Sequence, residues 1–389
     1  MSERMRAGVI GLGFLGSAYA GFFHKHPGME VVAVADIRPE VAERVAGEVG
    51  AEAHRDYDEM LSRHALDLVA VATPDPFHRG PTVAALEAGV KAIILEKPFA
   101  TTLEDALAIY GAVERHKARL YVNYANRADP LDVASHYVMQ SGLLGRVVYG
   151  EVRLDDNISV PTGLWGANSR AWAAGSSTAH FLLSHVVDLL RWYLAPAEVR
   201  EVYAISRREV LGDTPDLYDA FLTFDSGLVV RAKAEWIKHM DELVEFYLCF
   251  SGHEGTLVYN KLPGFGATPG WRANVAVGTT AEELLAHQRA LGERGVNVAV
   301  TLGPRKPGGI PLTARDAASA PALEYRGPKD GGGMALVGAF LDSLREGTLT
   351  PTSWQDRGPL PTHVDGLRQT QVTCAIVESA QTGKVVRVA

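Results

Sequence analysis

The pair Glu96–Lys97 stands out chemically, because it follows the apolar run 92–95 and precedes Pro98. The run predicts a strand buried on both faces of a parallel sheet, and proline ends such a strand because it has no N–H to donate. Open α/β sheets bind their ligands at the carboxyl ends of strands. A carboxylate and an ammonium there could hold a polar substrate and share its proton, whereas a surface ion pair is the plain alternative.

His185 is the second candidate for proton transfer. The apolar pattern predicts a helix over residues 177–194, and His185, Asp188 and Trp192 share one face of it at i, i+3 and i+7. Imidazole titrates near neutral pH, at about 6.5, which suits a general base. A core histidine with a satisfied hydrogen bond is the alternative.

Three glycines, Gly11, Gly13 and Gly16, directly follow the short predicted strand 7–10 and precede a predicted helix. Glycines at this spacing allow a tight turn, close approach of a pyrophosphate, and close packing of the helix on the strand. The helix N-terminus supplies N–H donors for the anion. This loop therefore predicts a dinucleotide site.

Asp36 ends the next predicted strand, 31–35, where dinucleotide folds place the carboxylate that binds the adenosine ribose hydroxyls. A carboxylate there repels a 2′-phosphate, so NAD is favoured over NADP. Arg38 lies nearby and weakens that preference, which leaves NADP possible. Asp36 can also cap the helix that begins near Pro39, and the two roles can coexist.

The elements that position these residues alternate between strand and helix in the first third of the chain. This alternation predicts a doubly wound parallel sheet, a Rossmann fold of class α/β. The further predicted strands are 66–72, 92–95 and 119–123, and the predicted helices are 40–49, 81–88 and 102–117.

After residue 123 the pattern changes to strand-like runs that no long helices separate. It predicts an α+β domain with a large open, mainly antiparallel sheet, hence two domains, 1–125 and 126–389. Residues 263–330 are expected to form hairpins and loops around one short helix, 281–291. The other predicted strands are 146–154, 199–205, 218–224, 228–236, 244–250, 256–259 and 385–388, and the later helices are 334–344 and 366–379.

Composition excludes several classes of protein. A formal net charge of -8 over 389 residues argues against nucleic-acid binding, which needs a basic face. Cys249 and Cys374 lie far apart, so we expect neither a disulfide scaffold nor a metal site. No apolar run is long enough to span a membrane, and the N-terminus lacks the pattern of a signal peptide. We therefore expect a cytoplasmic protein without nucleic-acid or membrane partners.

Three motifs together resemble the glucose–fructose oxidoreductase / inositol dehydrogenase (Gfo/Idh/MocA) family: the glycine loop 11–16, Thr73-Pro74 with His78, and the motif 96–98. Segment 124–130 is similar to the family's segment after the sixth strand, and the likeness covers essentially the whole chain. The resemblance implies an NAD-dependent oxidoreductase that transfers a hydride between nicotinamide and a secondary alcohol of a sugar, sugar derivative or cyclitol. It also implies C-terminal helices that pack back on the first domain and a homodimer or homotetramer formed through the open sheet.

The resemblance further implies roles for individual residues. Lys97 and His185 match the catalytic pair, and Glu96 matches the residue that bonds the nicotinamide ribose. Cofactor contacts are expected from Gly11, Gly13, Phe14, Leu15, Gly16, Asp36, Ile37, Arg38, Thr73, Pro74, His78, Glu96, Lys97 and Pro98. Substrate contacts are expected from Tyr124, Arg127, Asp155, Trp165, Arg170, Trp172, His180, Phe181 and His185.

The segment 155–175 contains Trp165, Arg170 and Trp172. Aromatic faces together with an arginine suit a sugar ring and its hydroxyls. Packing of the tryptophans on the partner domain is the alternative.

One position departs from the family pattern. Many members carry an aspartate one turn before the catalytic histidine, and this chain has Phe181 there. His180 is adjacent but points to another side of the helix. Either the proton relay differs, or the aspartate is dispensable here, or the chain is a non-catalytic NAD(P)-binding regulator on the same scaffold. An NAD-dependent glycosidase, in which the hydride moves out and back, is the other alternative.

Overall fold

The computed structural model of the chain describes residues 4–260, 270–276, 278–302, 321–325 and 333–388. Two compact units are present, and each consists of three segments. The predicted boundary after residue 125 lies where the chain first leaves the first unit. That unit contains Met1–Tyr124, Ala171–His185 and Met334–Cys374, and the second contains Ala125–Arg170, Val186–Gly333 and Ala375–Ala389.

A six-stranded parallel sheet forms the centre of the first unit. Its strands in chain order are β1 (Met5–Ile10), β2 (Met29–Ala35), β3 (Glu52–His54), β4 (Leu68–Val71), β5 (Ala92–Leu95) and β6 (Arg119–Val122). They lie in the order β3-β2-β1-β4-β5-β6, and every neighbouring pair is parallel. This is the strand order of a dinucleotide-binding fold. The predicted doubly wound sheet is confirmed.

Helices connect these strands. They are α1 (Phe14–Lys25), α2 (Pro39–Val49), α3 (Tyr57–Arg63), α4 (Arg79–Glu87) and α5 (Leu103–His116). All residues of β4 and β5 are buried. Helices cover both faces of such strands, so their sequences are continuous apolar runs. The sequence did not predict β3, since this edge strand has three residues and no such run.

The second unit contains a ten-stranded sheet. Its described strands are β7 (Val147–Asn157), β8 (Val199–Arg207), β9 (Leu217–Phe224), β10 (Val229–Lys238), β11 (Val244–Gly252), β12 (Thr256–Asn260), β13 (Gly270–Asn274), β14 (Val298–Thr301), β15 (Ala322–Tyr325) and β16 (Val386–Arg387). They lie in the order β14-β15-β13-β12-β11-β7-β10-β9-β8-β16. The pair β7–β10 is parallel and the other pairs are antiparallel. The predicted, mainly antiparallel sheet is confirmed.

The remaining helices are α6 (Pro130–Gln140), α7 (Ser159–Thr162), α8 (Ser169–Gly175), α9 (Thr178–Phe181), α10 (Leu183–Leu194), α11 (Ala281–Glu293), α12 (Ala335–Glu346) and α13 (His363–Thr382). Short 3₁₀ turns occur at Asp75–Phe77, Ala125–Ala128, Gly166–Asn168 and Thr352–Arg357. The prediction of one helix over 177–194 was wrong, because the chain breaks between α9 and α10. The hairpins predicted within 263–330 lie partly outside the described residues. No helix in the described ranges combines the length and hydrophobicity needed to cross a lipid bilayer.

Within the first unit, α12 and the start of α13 pack against β6. The ring of Tyr121 stacks on Phe340, with centroids 4.5 Å apart. Arg119 donates to the carbonyls of Gly347 and Thr348 at 2.9 and 2.8 Å, which closes the C-terminal end of α12. A side chain at Gly366 would meet the ring of Phe99 at 2.4 Å, so α13 needs glycine there.

Candidate active site

The glycine loop has the geometry of a phosphate cradle. Gly11 has a φ of +83°, and a Cβ there would lie 2.7 Å from the carbonyl oxygen of Ala72. A Cβ on Gly16 would lie 1.8 Å from the carbonyl oxygen of Gly11, so α1 packs too closely for any side chain. A Cβ on Gly13 would meet nothing within 4 Å among the described residues. The first and third glycines thus shape the turn, and the second leaves open space for a ligand.

The start of α1 adds the electrostatic part of this cradle. Gly13 caps the helix without a side chain, and the first turn contains no acidic residue. The N–H groups and the positive end of the helix dipole therefore favour an anion. Phe14, Leu15 and Ile37 are exposed near this loop, as a surface that receives a cofactor requires. These residues fit a dinucleotide.

Asp36 lies beside the loop with its carboxylate fully engaged. Oδ2 accepts the Leu12 N–H at 2.8 Å, and Oδ1 accepts the Arg38 N–H at 3.0 Å. The Arg38 guanidinium also donates to both oxygens, at 2.9 and 3.1 Å. Burial alone would raise the pKa of Asp36, but the hydrogen bonds from Arg38 and Leu12 outweigh it and lower that pKa. A ribose diol would have to replace the guanidinium.

His78 joins the turn after β4 to the turn after β5. Its Nδ1 lies 2.7 Å from the carbonyl oxygen of Pro98, and its Nε2 lies 2.9 Å from that of Thr73. The Thr73 hydroxyl in turn donates to the Phe77 carbonyl at 3.0 Å. His78 is 1% exposed. It therefore supports the two turns, and its predicted cofactor contact stays a prediction.

Glu96 is held by hydrogen bonds from three residues of the protein. Its carboxylate accepts a hydrogen bond from the Tyr19 hydroxyl, another from Asn123 Nδ2 at 2.8 Å, and a third from the Lys97 N–H at 3.2 Å. Burial, followed by the charge of Glu96, raises the pKa of Tyr19 well above its ordinary value, so the phenol remains a donor. Glu96 is 4% exposed. It anchors α1 to β5 and β6, and the ribose contact that the resemblance implies stays a prediction.

Lys97 is held by Phe181. Its Nζ donates to the Phe181 carbonyl oxygen at 3.2 Å and lies 3.4 Å from the centroid of the Phe181 ring. Carbonyl oxygens and aromatic faces both attract an ammonium. The position that carries an aspartate in many relatives therefore contacts Lys97 through its backbone and its ring.

The break between α9 and α10 explains why this carbonyl is available. In a continuous helix the Phe181 carbonyl would accept the His185 N–H. Here that N–H donates to the Leu182 carbonyl at 3.1 Å, so the Phe181 carbonyl accepts from Lys97 and, at 3.2 Å, from the Ser184 hydroxyl. The break thus brings Lys97 to the turn that leads into the helix of His185.

A second set of contacts fixes the Phe181 ring. Trp172 packs against it edge to face, with centroids 4.7 Å apart. The indole Nε1 donates to Asp75 at 3.4 Å, and the Ser176 hydroxyl donates to the same carboxylate at 2.6 Å. Asp75 belongs to the turn after β4 and is 6% exposed. Trp172 therefore positions Phe181 within the first unit, and its predicted substrate contact stays a prediction.

His180 does not replace the missing aspartate. Burial lowers the pKa of His180 to about 4, against the opposing effect of the Asp75 charge. Its imidazole is therefore neutral near pH 7 and cannot balance a cation. His185, in the first turn of α10, is partly buried, and its catalytic role stays a prediction.

Two other predicted substrate residues have protein partners. Arg127 forms a buried bidentate ion pair with Asp188, at 2.6 and 3.0 Å. Its guanidinium also lies 5.8 Å from the centroid of a Trp192 ring. The Tyr124 hydroxyl donates to Gln369 Oε1 at 2.9 Å in the first unit. Both residues therefore have structural contacts, and their predicted substrate contacts stay predictions.

The other predicted substrate residues lie in the second unit. Asp155 is fully buried and accepts from Lys233 at 2.9 Å and Lys238 at 2.7 Å. Burial raises the pKa of Asp155 and outweighs these two ammonium groups. The Arg170 guanidinium donates to the Leu211 carbonyl at 3.1 Å. Trp165 is partly exposed. The structure does not test whether any of them binds substrate.

Sequence reasoning missed several residues of this site: Leu12, Tyr19, Asp75, Phe77 and Asn123. Phe77 is a large exposed aromatic residue on the turn after β4. Its place in the motif of Thr73-Pro74 with His78 could have indicated that it belongs to the site. The others act through contacts between distant parts of the chain, which leave no local pattern.

Comparison with known proteins gives several relatives at moderate identity. The chain is 32% identical over 206 residues to an inositol 2-dehydrogenase of Rubrobacter xylanophilus, which covers 52% of this chain and 55% of that protein. It is 30% identical over 200 residues to a levoglucosan dehydrogenase of Pseudarthrobacter phenanthrenivorans, covering 49% and 51%. The aligned part thus spans about half the length of these curated relatives.

Solved structures share the fold over the whole chain. A levoglucosan dehydrogenase in complex with NADH and L-sorbose gives a TM-score of 0.74 at 21% identity, covering 99% of both chains. GenD2 from gentamicin A biosynthesis, in complex with NAD, gives 0.73 at 21% identity, covering 100% of this chain and 97% of that one. At this identity the likeness concerns the fold alone.

Two family models match consecutive parts of the chain and together span more than half of it. An oxidoreductase family with an NAD-binding Rossmann fold matches residues 5–124. The C-terminal domain of the same family matches residues 135–258. The chain therefore belongs to the Gfo/Idh/MocA family, and its N-terminal part is that family's NAD-binding Rossmann domain.

Proposed function

We propose that this chain is an NAD-dependent oxidoreductase that transfers a hydride between nicotinamide and a secondary alcohol of a sugar, sugar derivative or cyclitol. The position of Lys97 supports this proposal most directly. Its ammonium lies beyond the carboxyl end of β5, in the same unit as the glycine loop, and contacts the turn before His185. The names of the relatives, an inositol and a levoglucosan dehydrogenase, support the substrate class.

The residues that would hold NAD are those of the cradle. The N–H groups at the start of α1 would bind the pyrophosphate over Gly13, and Asp36 would bind the adenosine ribose. Bound NAD supplies the hydride acceptor. Arg38 is the residue that would have to move, and its side chain is 45% exposed, so it can rotate into solvent.

The protein's own part of the reaction is proton transfer and positioning. The Lys97 ammonium would donate a hydrogen bond to the substrate hydroxyl oxygen and so favour the developing alkoxide. The His185 imidazole would accept the hydroxyl proton as general base. Both groups belong to the first unit, Lys97 after β5 and His185 in the first turn of α10.

Phe181 would replace the usual aspartate in one respect. An aspartate side chain offers Lys97 a hydrogen-bond acceptor, and here the Phe181 carbonyl offers one at 3.2 Å. The carbonyl is neutral, so it orients the ammonium without cancelling its charge. A proton relay without the aspartate is therefore physically reasonable.

A substrate screen with a matched pair of variants tests the proposal. Sugars and cyclitols are supplied with NAD, and the absorbance of reduced cofactor is followed. Lys97→Ala should lower kcat by about a hundredfold to ten-thousandfold, the usual contribution of acid–base catalysis, while NAD affinity stays within a few fold. Lys91→Ala is the control, since its Nζ donates to the His116 carbonyl on the protein surface. Equal turnover in the two variants would remove Lys97 from the mechanism.

Two substitutions of Phe181 separate its carbonyl from its ring. Phe181→Leu keeps the carbonyl and removes a cation–π contact worth about 0.5–2 kcal/mol, so kcat should fall no more than about thirtyfold. Phe181→Asp adds a carboxylate, which favours the protonated form of a neighbouring base. The apparent pKa of the kcat/KM profile should therefore rise in Phe181→Asp and stay in place in Phe181→Leu. An unmoved profile in Phe181→Asp would show that the titrating group lies elsewhere.

A non-catalytic NAD-binding regulator is the second candidate, and the replacement of the aspartate by Phe181 favours it. Under this alternative the protein binds NAD but converts no polyol or sugar, and Phe181→Asp gains dehydrogenase activity. An NAD-dependent glycosidase would instead release a sugar from a glycoside without net reduction of NAD. The same screen, extended to glycosides, distinguishes the three.

We also infer a homodimer or homotetramer formed through the ten-stranded sheet. One face of that sheet exposes large apolar side chains on neighbouring strands, Tyr203 and Ile205 on β8 and Phe221 on β9. Contiguous apolar surface of this kind marks protein interfaces. Light scattering of the wild type and of Phe221→Glu would test the assembly. A cytoplasmic location stays a prediction.

A further inference from the structure

Three potential metal ligands converge at the edge of the parallel sheet, away from the glycine loop and Lys97. The Nε2 atoms of His54 and His64 lie 3.0 Å apart. Glu52 Oε1 lies 3.6 Å from the first of these atoms, and Glu52 Oε2 lies 3.5 Å from the second. One ligand atom from each residue falls within 4.8 Å of the other two.

The local fold brings these residues together. Glu52 and His54 are two apart on β3, so their side chains point to the same face of the sheet. The chain then forms α3, which the side chain of Asp56 caps by accepting the Asp58 N–H at 2.7 Å. His64 is the C-cap of this seven-residue helix, and its side chain lies next to that of His54 on the strand.

The distances fit a tetrahedral cation. Donor atoms bound tetrahedrally to Zn²⁺ at about 2.0–2.2 Å lie about 3.3–3.6 Å from one another. The separations between Glu52 and the two imidazoles, 3.6 and 3.5 Å, lie in this range. The two Nε2 atoms are 3.0 Å apart, so the rings would have to move slightly apart around an ion. The final torsion of a glutamate is soft, so one carboxylate oxygen can turn toward both imidazoles.

The surroundings also suit a cation. The side chain of His54 is 1% exposed and that of His64 is 12% exposed, whereas Glu52 is 50% exposed. The site is therefore fixed on its protein side and open to an ion on the other. Arg63 lies 3.1 Å from Glu52 and 3.4 Å from Glu59, so the nearby side chains carry two negative charges against one positive.

A hydrogen bond between two neutral histidines is the alternative explanation of the 3.0 Å contact. It uses the N–H of one ring and the lone pair of the other. Glu52, to which the Arg63 guanidinium donates at 3.1 Å, approaches both Nε2 atoms, one with each carboxylate oxygen. A shared cation would explain why one carboxylate and two imidazoles converge here.

We propose that Glu52, His54 and His64 form a binding site for a divalent transition-metal cation, Zn²⁺ in the first instance, with water as the fourth ligand. Two imidazoles and one carboxylate are a donor set that zinc accepts. The spacing of Cys249 and Cys374, from which no metal site was predicted, carries no information about these three residues.

The site would stabilise the part of the sheet that carries Asp36. The His54 carbonyl accepts the Asp36 N–H at 3.1 Å, and His54 pairs with Ala35 in the register of β2 and β3. β3 is a three-residue edge strand, which few hydrogen bonds hold in place. A cation that joins β3 to the end of α3 would therefore fix the backbone on which Asp36 begins. This role does not depend on the redox reaction.

Metal content and affinity test the site directly. The full chain is treated with a chelator, dialysed, and titrated calorimetrically with Zn²⁺. We expect one ion per chain, and at least a tenfold weaker affinity in Glu52→Gln and in His64→Gln, since even supporting groups around a metal contribute about that much. Glu59→Gln and His24→Gln are the matched controls. They remove the same groups from exposed positions outside the cluster and should bind as the wild type does.

Two further measurements guard against misfolding. Zn²⁺ should raise the melting temperature of the wild type and of both controls, but not that of Glu52→Gln, because only binding to the folded state stabilises it. Co²⁺ should give the visible spectrum of a tetrahedral site in the wild type but not in Glu52→Gln or His64→Gln. NAD affinity of each chelated variant serves as the check that it is folded. The proposal is overturned if the wild type binds no stoichiometric Zn²⁺, or if Glu59→Gln weakens binding as much as Glu52→Gln does.

Discussion

Two carboxylates end strands of the same sheet, and the structure treats them differently. Asp36 follows β2 and Glu96 follows β5, and each was expected to bind a ribose of the cofactor. Both are nearly buried and both accept several hydrogen bonds. The difference lies in their partners. Asp36 is held by Arg38, whose side chain is 45% exposed, whereas Glu96 is held by Tyr19 and Asn123 in the core.

This difference decides which carboxylate can exchange partners. An exposed guanidinium can rotate away at small cost, because surface ion pairs contribute little to stability. The Tyr19 phenol and the Asn123 amide are buried and cannot turn to solvent. Without Glu96 each would lose a hydrogen bond in the interior. We therefore expect Asp36 to bind the cofactor and Glu96 to stabilise the fold. Both carboxylates are buried, so their own burial does not distinguish the two expected roles. The exposure of the side chain that holds each carboxylate distinguishes them.

The largest expected effect comes from removing Glu96. Glu96→Ala leaves the Tyr19 hydroxyl without its acceptor, and the Asn123 amide keeps only its hydrogen bond to that hydroxyl. An unsatisfied buried donor costs about 1–3 kcal/mol. We expect the free energy of unfolding, measured in urea, to fall by about 2–4 kcal/mol. The NAD affinity of the folded fraction should change only a few fold.

Glu96→Gln is the matched control, because it keeps one acceptor oxygen for the same donors. It should recover most of the lost stability. The comparison between the two carboxylates breaks down if Glu96→Ala costs less than about 1 kcal/mol yet weakens NAD binding more than tenfold. Glu96 would then be a cofactor ligand, as the family resemblance implied.

Removing Asp36 should have the opposite signature. Hydrogen bonds to a charged group contribute about 1.5–3 kcal/mol, so Asp36→Ala should weaken NAD binding by roughly tenfold to a hundredfold. NADP should bind better than in the wild type, because Arg38 becomes free to meet the 2′-phosphate. Isothermal titration with both cofactors measures the two changes. If unmodified protein already binds NADP at least as tightly as NAD, Arg38 dominates this site and the assignment of Asp36 is wrong.

The parts of this site that the sequence predicted well are those built from neighbouring residues. Gly11, Gly13 and Gly16 lie within one loop, and their backbone roles follow from the strand before them and the helix after them. The strands β4 and β5 were predictable for the same reason, since a buried parallel strand is a continuous apolar run. The order of the six strands then follows from the fold class.

The parts that the sequence could not predict depend on contacts between distant positions. Tyr19 lies 77 residues from Glu96, and Arg127 lies 61 residues from Asp188. Whether such a side chain faces a ligand or another side chain depends on packing, which no local pattern reports. The break at Leu182 is a further case, because apolar residues recur at helical spacing from 181 to 190 and favour a continuous helix. The edge strand β3 was missed because it has three residues and no apolar run.

The smallest expected effect concerns the ion pair between Asp36 and Arg38. It is measured as the pH dependence of the free energy of unfolding. Arg38 and the Leu12 N–H lower the pKa of Asp36 against the effect of burial. The unfolded chain therefore takes up a proton at higher pH, near the ordinary aspartate value of about 3.9, than the folded chain does. The stabilisation is complete above that value and is lost as the pH falls through the folded pKa.

Arg38→Ala should remove part of this dependence of stability on pH. Because Arg38 is 45% exposed, solvent screening limits the loss to at most about 1 kcal/mol at pH 7. Urea unfolding of both proteins at pH 7 and near pH 3 measures it, and their free energies should converge at the lower pH. The same variant should bind NAD at least as tightly as the wild type, since the carboxylate no longer has to release its guanidinium. A constant gap between the two proteins at both pH values would mean that Arg38 acts through packing rather than through the charge of Asp36.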